Sequence, residues 1–124
     1  MDLIYREQIL EHYKHPFNFG VLDNPSSEAS DNIVSCGDSL SMQVLVKNKS
    51  SLVADIKFQG SGCAISIASA SMLTESVKGQ KIGDLKNLSK NDILTMLGIE
   101  LSPTRVKCAL LSLEVLHKTL NQLT

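Results

Sequence analysis

The chain of 124 residues contains no tryptophan, and aromatic residues make up only 4% of it. No stacking platform for bases or sugars is therefore visible. Charge of one sign is missing as well: twelve Lys and Arg stand against thirteen Asp and Glu, a net charge of −1. Phosphate binding demands a basic excess, so the balance argues against a nucleic-acid partner. No apolar run approaches the roughly eighteen residues of a membrane span. The opening Met1-Asp2-Leu3-Ile4-Tyr5-Arg6-Glu7 is charged where a secretory signal would be apolar. No membrane partner is expected, and the expected compartment is the cytoplasm. Cysteine is scarce and odd in number, three in the chain, without a C-x-x-C pair. That count makes a poor disulfide framework, and a reducing compartment would not sustain one. Internal repeats and low-complexity tracts are absent.

What remains is a globular composition, 43% hydrophobic and 20% charged. It fits one domain over 1–124 with a core of its own. Asp2 can cap a first helix whose apolar stripe is Tyr5, Ile9 and Tyr13 with Leu10 beside them, ended by Pro16. From Asn18 to Ser35 the text has no helical period and reads as a long loop, with a short strand around Ile33-Val34. The period then changes to two. Leu40, Met42, Val44 and Val46 alternate with polar residues, and after a turn at Asn48-Lys49-Ser50 so do Leu52, Ala54, Ile56 and Phe58. Two half-buried strands with a short polar connection form a hairpin over 39–59. Gly60-Ser61-Gly62-Cys63 opens a helix from about Ala64 to Lys78, closed by Gly79 and crowded with Ala and Ser in its first turns. Ser89 caps a shorter helix to Leu97, ended by Gly98. Ser102-Pro103 starts the last one, with a stripe of Val106, Leu110, Leu113, Leu116 or His117, and Leu120. The expected fold is α+β: a small antiparallel sheet of three strands, the hairpin at its heart, with helices packed on one face.

Each cysteine stands at a boundary between elements. Cys36 precedes the first clear strand, Cys63 joins a strand to a helix, and Cys108 lies near the start of the last helix. Hairpin geometry brings the start of its first strand near the end of its second, which makes Cys36 and Cys63 neighbours. Helix N-termini and the cations Arg105 and Lys107 favour thiolates at Cys63 and Cys108. Glycines beside Cys36 and Cys63 leave room for an ion or a cluster. Asp38 adds an oxygen donor. Three thiolates and a carboxylate are enough for tetrahedral zinc or for the two irons of a [2Fe–2S] cluster. Buried thiols serving as small hydrophobes are the alternative. His12 and His15 suit a helix C-terminus, His117 the buried stripe, and Ser66 is a lesser candidate for a hydrogen bond toward the site.

The chain resembles the U-type iron–sulfur cluster assembly scaffolds, the IscU/SufU/NifU N-terminal family, along nearly its whole length. The resemblance is carried by Tyr5, His12-Tyr13-Lys14-His15-Pro16-Phe17-Asn18-Phe19-Gly20, Cys36-Gly37-Asp38, Phe58-Gln59-Gly60-Ser61-Gly62-Cys63-Ala64 and Arg105-Val106-Lys107-Cys108. It implies a carrier that holds zinc or a nascent [2Fe–2S] cluster on Cys36, Asp38, Cys63 and Cys108. In that role it receives sulfur from a cysteine desulfurase and passes the cluster to apo iron–sulfur proteins. The alternative it implies is a zinc-dependent sulfurtransferase of the SufU kind, with Cys36 or Cys108 accepting the persulfide. The Arg105-to-Cys108 text resembles the SufU branch, whereas the insertion typical of that branch after Gly79 is missing. Leu101-Ser102-Pro103-Thr104-Arg105 stands where IscU-type chains carry Leu-Pro-Pro-Val-Lys, which argues against a dedicated Hsp70 partner.

Overall fold

The period-two text at the centre of the chain becomes the middle and one flank of an antiparallel sheet. In the computed structural model, which describes residues 2–34, 37–47 and 51–123, the strands are β1 (Ser27–Ile33), β2 (Asp38–Val46) and β3 (Val53–Ser61), ordered β1-β2-β3. Five helices accompany them: α1 (Asp2–Lys14), α2 (Ala64–Val77), α3 (Ile82–Lys86), α4 (Lys90–Leu97) and α5 (Pro103–Asn121). One sheet face, built by Leu40, Met42, Val44, Ile56 and Phe58, is buried against α2 and α5. Burying such a face supplies most of the driving force for this architecture. The α1 helix lies on α2, and α4 packs against α5. Beyond β3 the sheet is extended by Asn18–Gly20. There the Phe58 N–H donates to the Asn18 carbonyl and the Gly20 N–H to the Phe58 carbonyl, both at 2.9 Å. Among the described residues no helix is long and apolar enough to cross a membrane.

Helix ends follow their local chemistry. Ser89 and Asp92 form a reciprocal capping box at α4, and Gly98 closes that helix in the left-handed conformation, φ 72°. Ser102 caps α5 with Pro103 at its first position. The α+β class and the hairpin are as the pattern predicts, whereas five details differ. The stretch read as loop contains the seven-residue strand β1, whose polar text pairs fully with β2 from Ser27↔Val44 to Ile33↔Asp38. Alternation in β3 breaks at a bulge, since Leu45 faces Asp55 and Val46 faces Val53. Val53 is therefore buried, while Leu52 and Ala54 are exposed. Among the described side chains of α1 only Ile9 is buried; Leu10 and Tyr13 are 50% and 43% exposed. On α5 the buried face runs through Cys108, Ala109, Leu111, Ser112, Val115 and Leu116, with Val106 and Leu110 only half-buried. That helix packs against both α2 and the sheet, so its buried face is wider than one stripe. Asp2 is the first residue of α1 itself, and the turn at residues 48–50 lies outside the described residues.

Candidate metal centre

Antiparallel pairing makes the site. Ser39 of β2 faces Ser61 of β3, so the first residue of β2, Asp38, lies beside Gly62 and Cys63. Cys63 is the N-cap of α2, in extended conformation. Its N–H donates to Asp38 Oδ1 at 3.1 Å, and its Sγ lies 3.6 Å from Oδ2. Gly62 permits this approach, because a Cβ there would come within 2.6 Å of Oδ1 and 2.8 Å of the carboxyl carbon. The room expected at Gly62 for an ion is thus occupied by the Asp38 carboxylate. At Gly37 a Cβ would meet nothing within 4 Å.

Cys108 arrives from the opposite side on α5, whose position against α2 is set by buried hydroxyls. Ser69 donates to the Ala109 carbonyl and pairs with the Ser112 hydroxyl, each at 2.8 Å. Ser66 Oγ lies 3.3 Å from the Cys108 carbonyl and donates to Asp38 Oδ2 at 2.5 Å. The small residues crowding α2 are therefore both packing and a row of interhelical hydrogen bonds. As a result Cys63 Sγ, Cys108 Sγ and an Asp38 oxygen all lie within 4.8 Å of one another. They border a concavity of about 410 Å³ lined also by Gly37, Gly62, Thr104 and Arg105. Cys36 lies outside the described residues.

Electrostatics separate the three donors. Asp38 is only 2% exposed. Burial alone would raise its carboxyl, but hydrogen bonds from Ser66, Cys108 and Cys63 outweigh that and hold it below the ordinary carboxylate value. Cys108, 1% exposed, is pushed up from 9.0 to about 12, by burial first and then by its neighbours Asp38 and Cys63. The expected thiolate-favouring field at Cys108 is not what forms. Cys108 is the sixth residue of α5, beyond the turn whose N–H groups are free, and Lys107 beside it points to solvent. Instead the cation facing the site is Arg105. Its guanidinium interacts with the Cys63 sulfur, which raises the arginine further above its usual value.

The histidines are elsewhere. His12 Nδ1 bonds Ser71 Oγ at 2.7 Å, and His117 Nε2 meets the Leu85 carbonyl at 3.1 Å, both structural roles as expected. Thr104 at the rim was not signalled by any motif, and Ser66 carries more of the site than its place in a Ser/Ala run suggests.

Two sulfurs and a buried carboxylate oxygen form a donor set that suits a thiophilic metal. Donors around tetrahedral zinc stand about 3.3–3.8 Å apart, so separations up to 4.8 Å need only a slight closure. The residues present fit such a group.

The chain is similar to known proteins along most of its length. Residues 4–124 match the model of the NifU-like N-terminal domain. The zinc-dependent sulfurtransferase SufU of Bacillus subtilis is 38% identical, covering 95% of this chain and 90% of that protein. The iron–sulfur cluster assembly scaffold protein IscU of Aquifex aeolicus is 37% identical, covering 94% of this chain and 74% of its own. The SufU alignment runs over 135 positions against 124 residues here, so SufU carries residues that this chain lacks; the IscU alignment needs only 117. FiSufU from Fervidobacterium islandicum AW-1 superposes with a TM-score of 0.76 at 27% identity, covering 95% of this chain and 97% of its own. A family match over nearly the whole chain, two curated relatives above a third identical and a shared fold place this protein in the NifU-like N-terminal domain family.

Proposed function

We propose that this chain, read as a single domain over 1–124, is a scaffold for iron–sulfur cluster assembly. Sulfur from a cysteine desulfurase, reduced to sulfide by an external electron donor such as a thiol reductant, is combined with iron on Cys36, Asp38, Cys63 and Cys108 into a [2Fe–2S] cargo, which passes to apoproteins in the cytoplasm. The observation that carries this reading is the convergence of Asp38, Cys63 and Cys108 from three separate elements around one concavity. Cys36 joins the set by chain connection, being the residue before Gly37 at the cavity rim. Asp38 gives the site its exchangeable corner, because a carboxylate is a harder and weaker ligand for a thiophilic metal than thiolate. Arg105 supplies positive charge at the more exposed sulfur, that of Cys63.

A second reading, a zinc-dependent sulfurtransferase, is favoured by the likeness to SufU and by a donor set equally suited to zinc. Zinc bound there would hold the thiols as thiolates. The thiolate of Cys36 or Cys108 would then attack the outer sulfur of the persulfide carried by the desulfurase, whose own cysteine leaves as thiolate. Cys108 is buried, so a partner's persulfide reaches it poorly, which favours Cys36 as the acceptor. With Leu101-Ser102-Pro103-Thr104-Arg105 in place of the chaperone motif, no dedicated Hsp70 partner is proposed.

Anaerobic reconstitution with iron, cysteine and a desulfurase tests both. A visible chromophore transferable to an apoprotein supports the scaffold. Zinc that persists while desulfurase turnover rises supports the sulfurtransferase, and neither response would refute both.

A further inference from the structure

We propose that Ser66 is a positioning residue that holds Asp38 ready to ligate, through the hydrogen bond from Ser66 Oγ to Asp38 Oδ2. The inference rests on the metal-binding reading of the site and adds a residue to it.

Hydroxyls inside helices ordinarily turn back onto their own helix. In this molecule Thr74 bonds the Ala70 carbonyl, Ser76 that of Leu73 and Thr119 that of Val115. Ser66, like Ser69 and Ser71, reaches outward instead, and of the three it is the one that reaches the site. Its Oγ lies 2.5 Å from Asp38 Oδ2 on β2, 3.3 Å from the Cys108 carbonyl on α5 and 3.7 Å from Cys63 Sγ at the head of its own helix. One fully buried hydroxyl thus touches all three residues that bring a donor, each from a different element.

The consequence for Asp38 is geometric. A carboxylate held at one oxygen can swing about its side-chain torsions, and one held at both cannot. Cys63 N–H fixes Oδ1 and Ser66 fixes Oδ2, which locks the carboxylate plane against the two sulfurs. Oδ1 keeps a further lone pair for a metal, and Oδ2 regains one when the Cys63 thiol gives up its proton on metal binding. Hydrogen-bonding partners of ligating carboxylates orient them, and losing one ordinarily costs 10- to 100-fold in metal affinity. The hydroxyl's single proton also has a second acceptor in reach, the Cys108 carbonyl, so it can follow small shifts of Asp38 without being left unpaired.

The test measures zinc affinity by competition with a chromophoric chelator, and cobalt spectra, for wild type, Ser66→Ala, Asp38→Ala and the double variant. Ser66→Ala should weaken zinc binding about 10- to 100-fold. In the Asp38→Ala background the same change should cost less than about threefold, since its effect passes through Asp38. Cobalt-loaded Ser66→Ala should keep the thiolate-to-metal charge-transfer intensity while its ligand-field bands move to those of Asp38→Ala. Wild-type affinity in Ser66→Ala, an equal loss in both backgrounds, or an unchanged ligand field would overturn the assignment. If Ser66→Ala does not fold, the wild type carries the test by NMR. The Ser66 hydroxyl proton should remain coupled to the Asp38 carboxyl carbon in the zinc-loaded protein, and loss of that coupling would refute it. A wild type that binds neither zinc nor cobalt would overturn the metal-binding reading itself, and this inference with it.

Discussion

Gly62→Ala is the smallest change that should disable the site, and its size can be worked from the structure. Gly62 does not occupy the left-handed region, so alanine suits the backbone. The difficulty is one neighbour. The new Cβ would stand 2.6 Å from Asp38 Oδ1 and 2.8 Å from its carboxyl carbon, where ordinary contact begins at about 3.4 Å. The carboxylate must therefore retreat by nearly an ångström. In doing so it gives up the Cys63 N–H, which then lacks its acceptor, while the Ser66 hydroxyl falls back on the Cys108 carbonyl. Overpacking costs about 1–3 kcal/mol, and a buried donor left unpaired about 1–3 kcal/mol. Taken together with some relaxation, a loss of about 3 kcal/mol is expected. For a chain of this size that lowers the melting temperature by about 10 °C. Zinc affinity should fall at least about tenfold as well, because the oxygen ligand has moved. In the Asp38→Ala background the remaining obstacle is the residue-38 Cβ at 3.1 Å, which a shift of a few tenths of an ångström relieves. There Gly62→Ala should cost under about 1 kcal/mol. Urea or thermal unfolding of the four proteins decides the matter. Equal penalties in both backgrounds would show that Gly62 acts on something other than Asp38.

Other consequences are more direct. Replacing Cys36, Cys63 or Cys108 by Ser should sharply reduce bound metal, and wild-type stoichiometry by elemental analysis in any one variant would remove that residue from the ligand set. Asp38→Ala should keep a reconstituted cluster longer and hand it over more slowly, measured by transfer to an apoprotein. It should also cost about 1–3 kcal/mol, since the Cys63 N–H loses its acceptor and the Ser66 hydroxyl keeps only the longer bond to the Cys108 carbonyl. The metal-free protein should lose stability in alkali. The Cys108 thiol lies at about 12 in the fold against an ordinary 9.0, so the unfolded chain releases its proton first. Stability is then complete below about pH 9 and declines from there to about pH 12. Unfolding titrations of Cys108→Ala should lack that decline.

Much of the fold was legible because local chemistry and tertiary role coincide. Ser89 with Asp92, Ser102 with Pro103, and Gly98 announce helix ends that the structure realises through the same side chains. β1 was not legible. Its Ser-Glu-Ala-Ser-Asp-Asn-Ile text has little strand propensity, and the strand exists because β2 and α5 are there to pair and pack with it. Ser27 makes the point: it is buried at the start of β1 and donates to the Thr119 carbonyl on α5. The α5 stripe holds at Leu113, Leu116 and Leu120 but is too narrow, for a related reason. Where a helix meets both a sheet and another helix, small residues such as Ala109 and Ser112 are buried too, and a search for large apolar residues passes over them. At the site, Asp38, Cys63 and Cys108 were recognisable as a set from their family context, and the structure brings these three together. The sequence marks Ser66 as a lesser candidate for a hydrogen bond toward the site and Arg105 as a cation beside the thiols; their partners, Asp38 and Cys63, lie across elements, where no spacing along the chain encodes them.

The coordination shell tests the central claim most directly. X-ray absorption at the zinc edge of the zinc-loaded protein should show sulfur neighbours at about 2.3 Å and one oxygen neighbour at about 2.0 Å. Three sulfurs and one oxygen are expected, with the carboxylate oxygen lost in Asp38→Ala. A shell of nitrogen and oxygen alone, or an oxygen contribution unchanged by removing Asp38, would contradict the account.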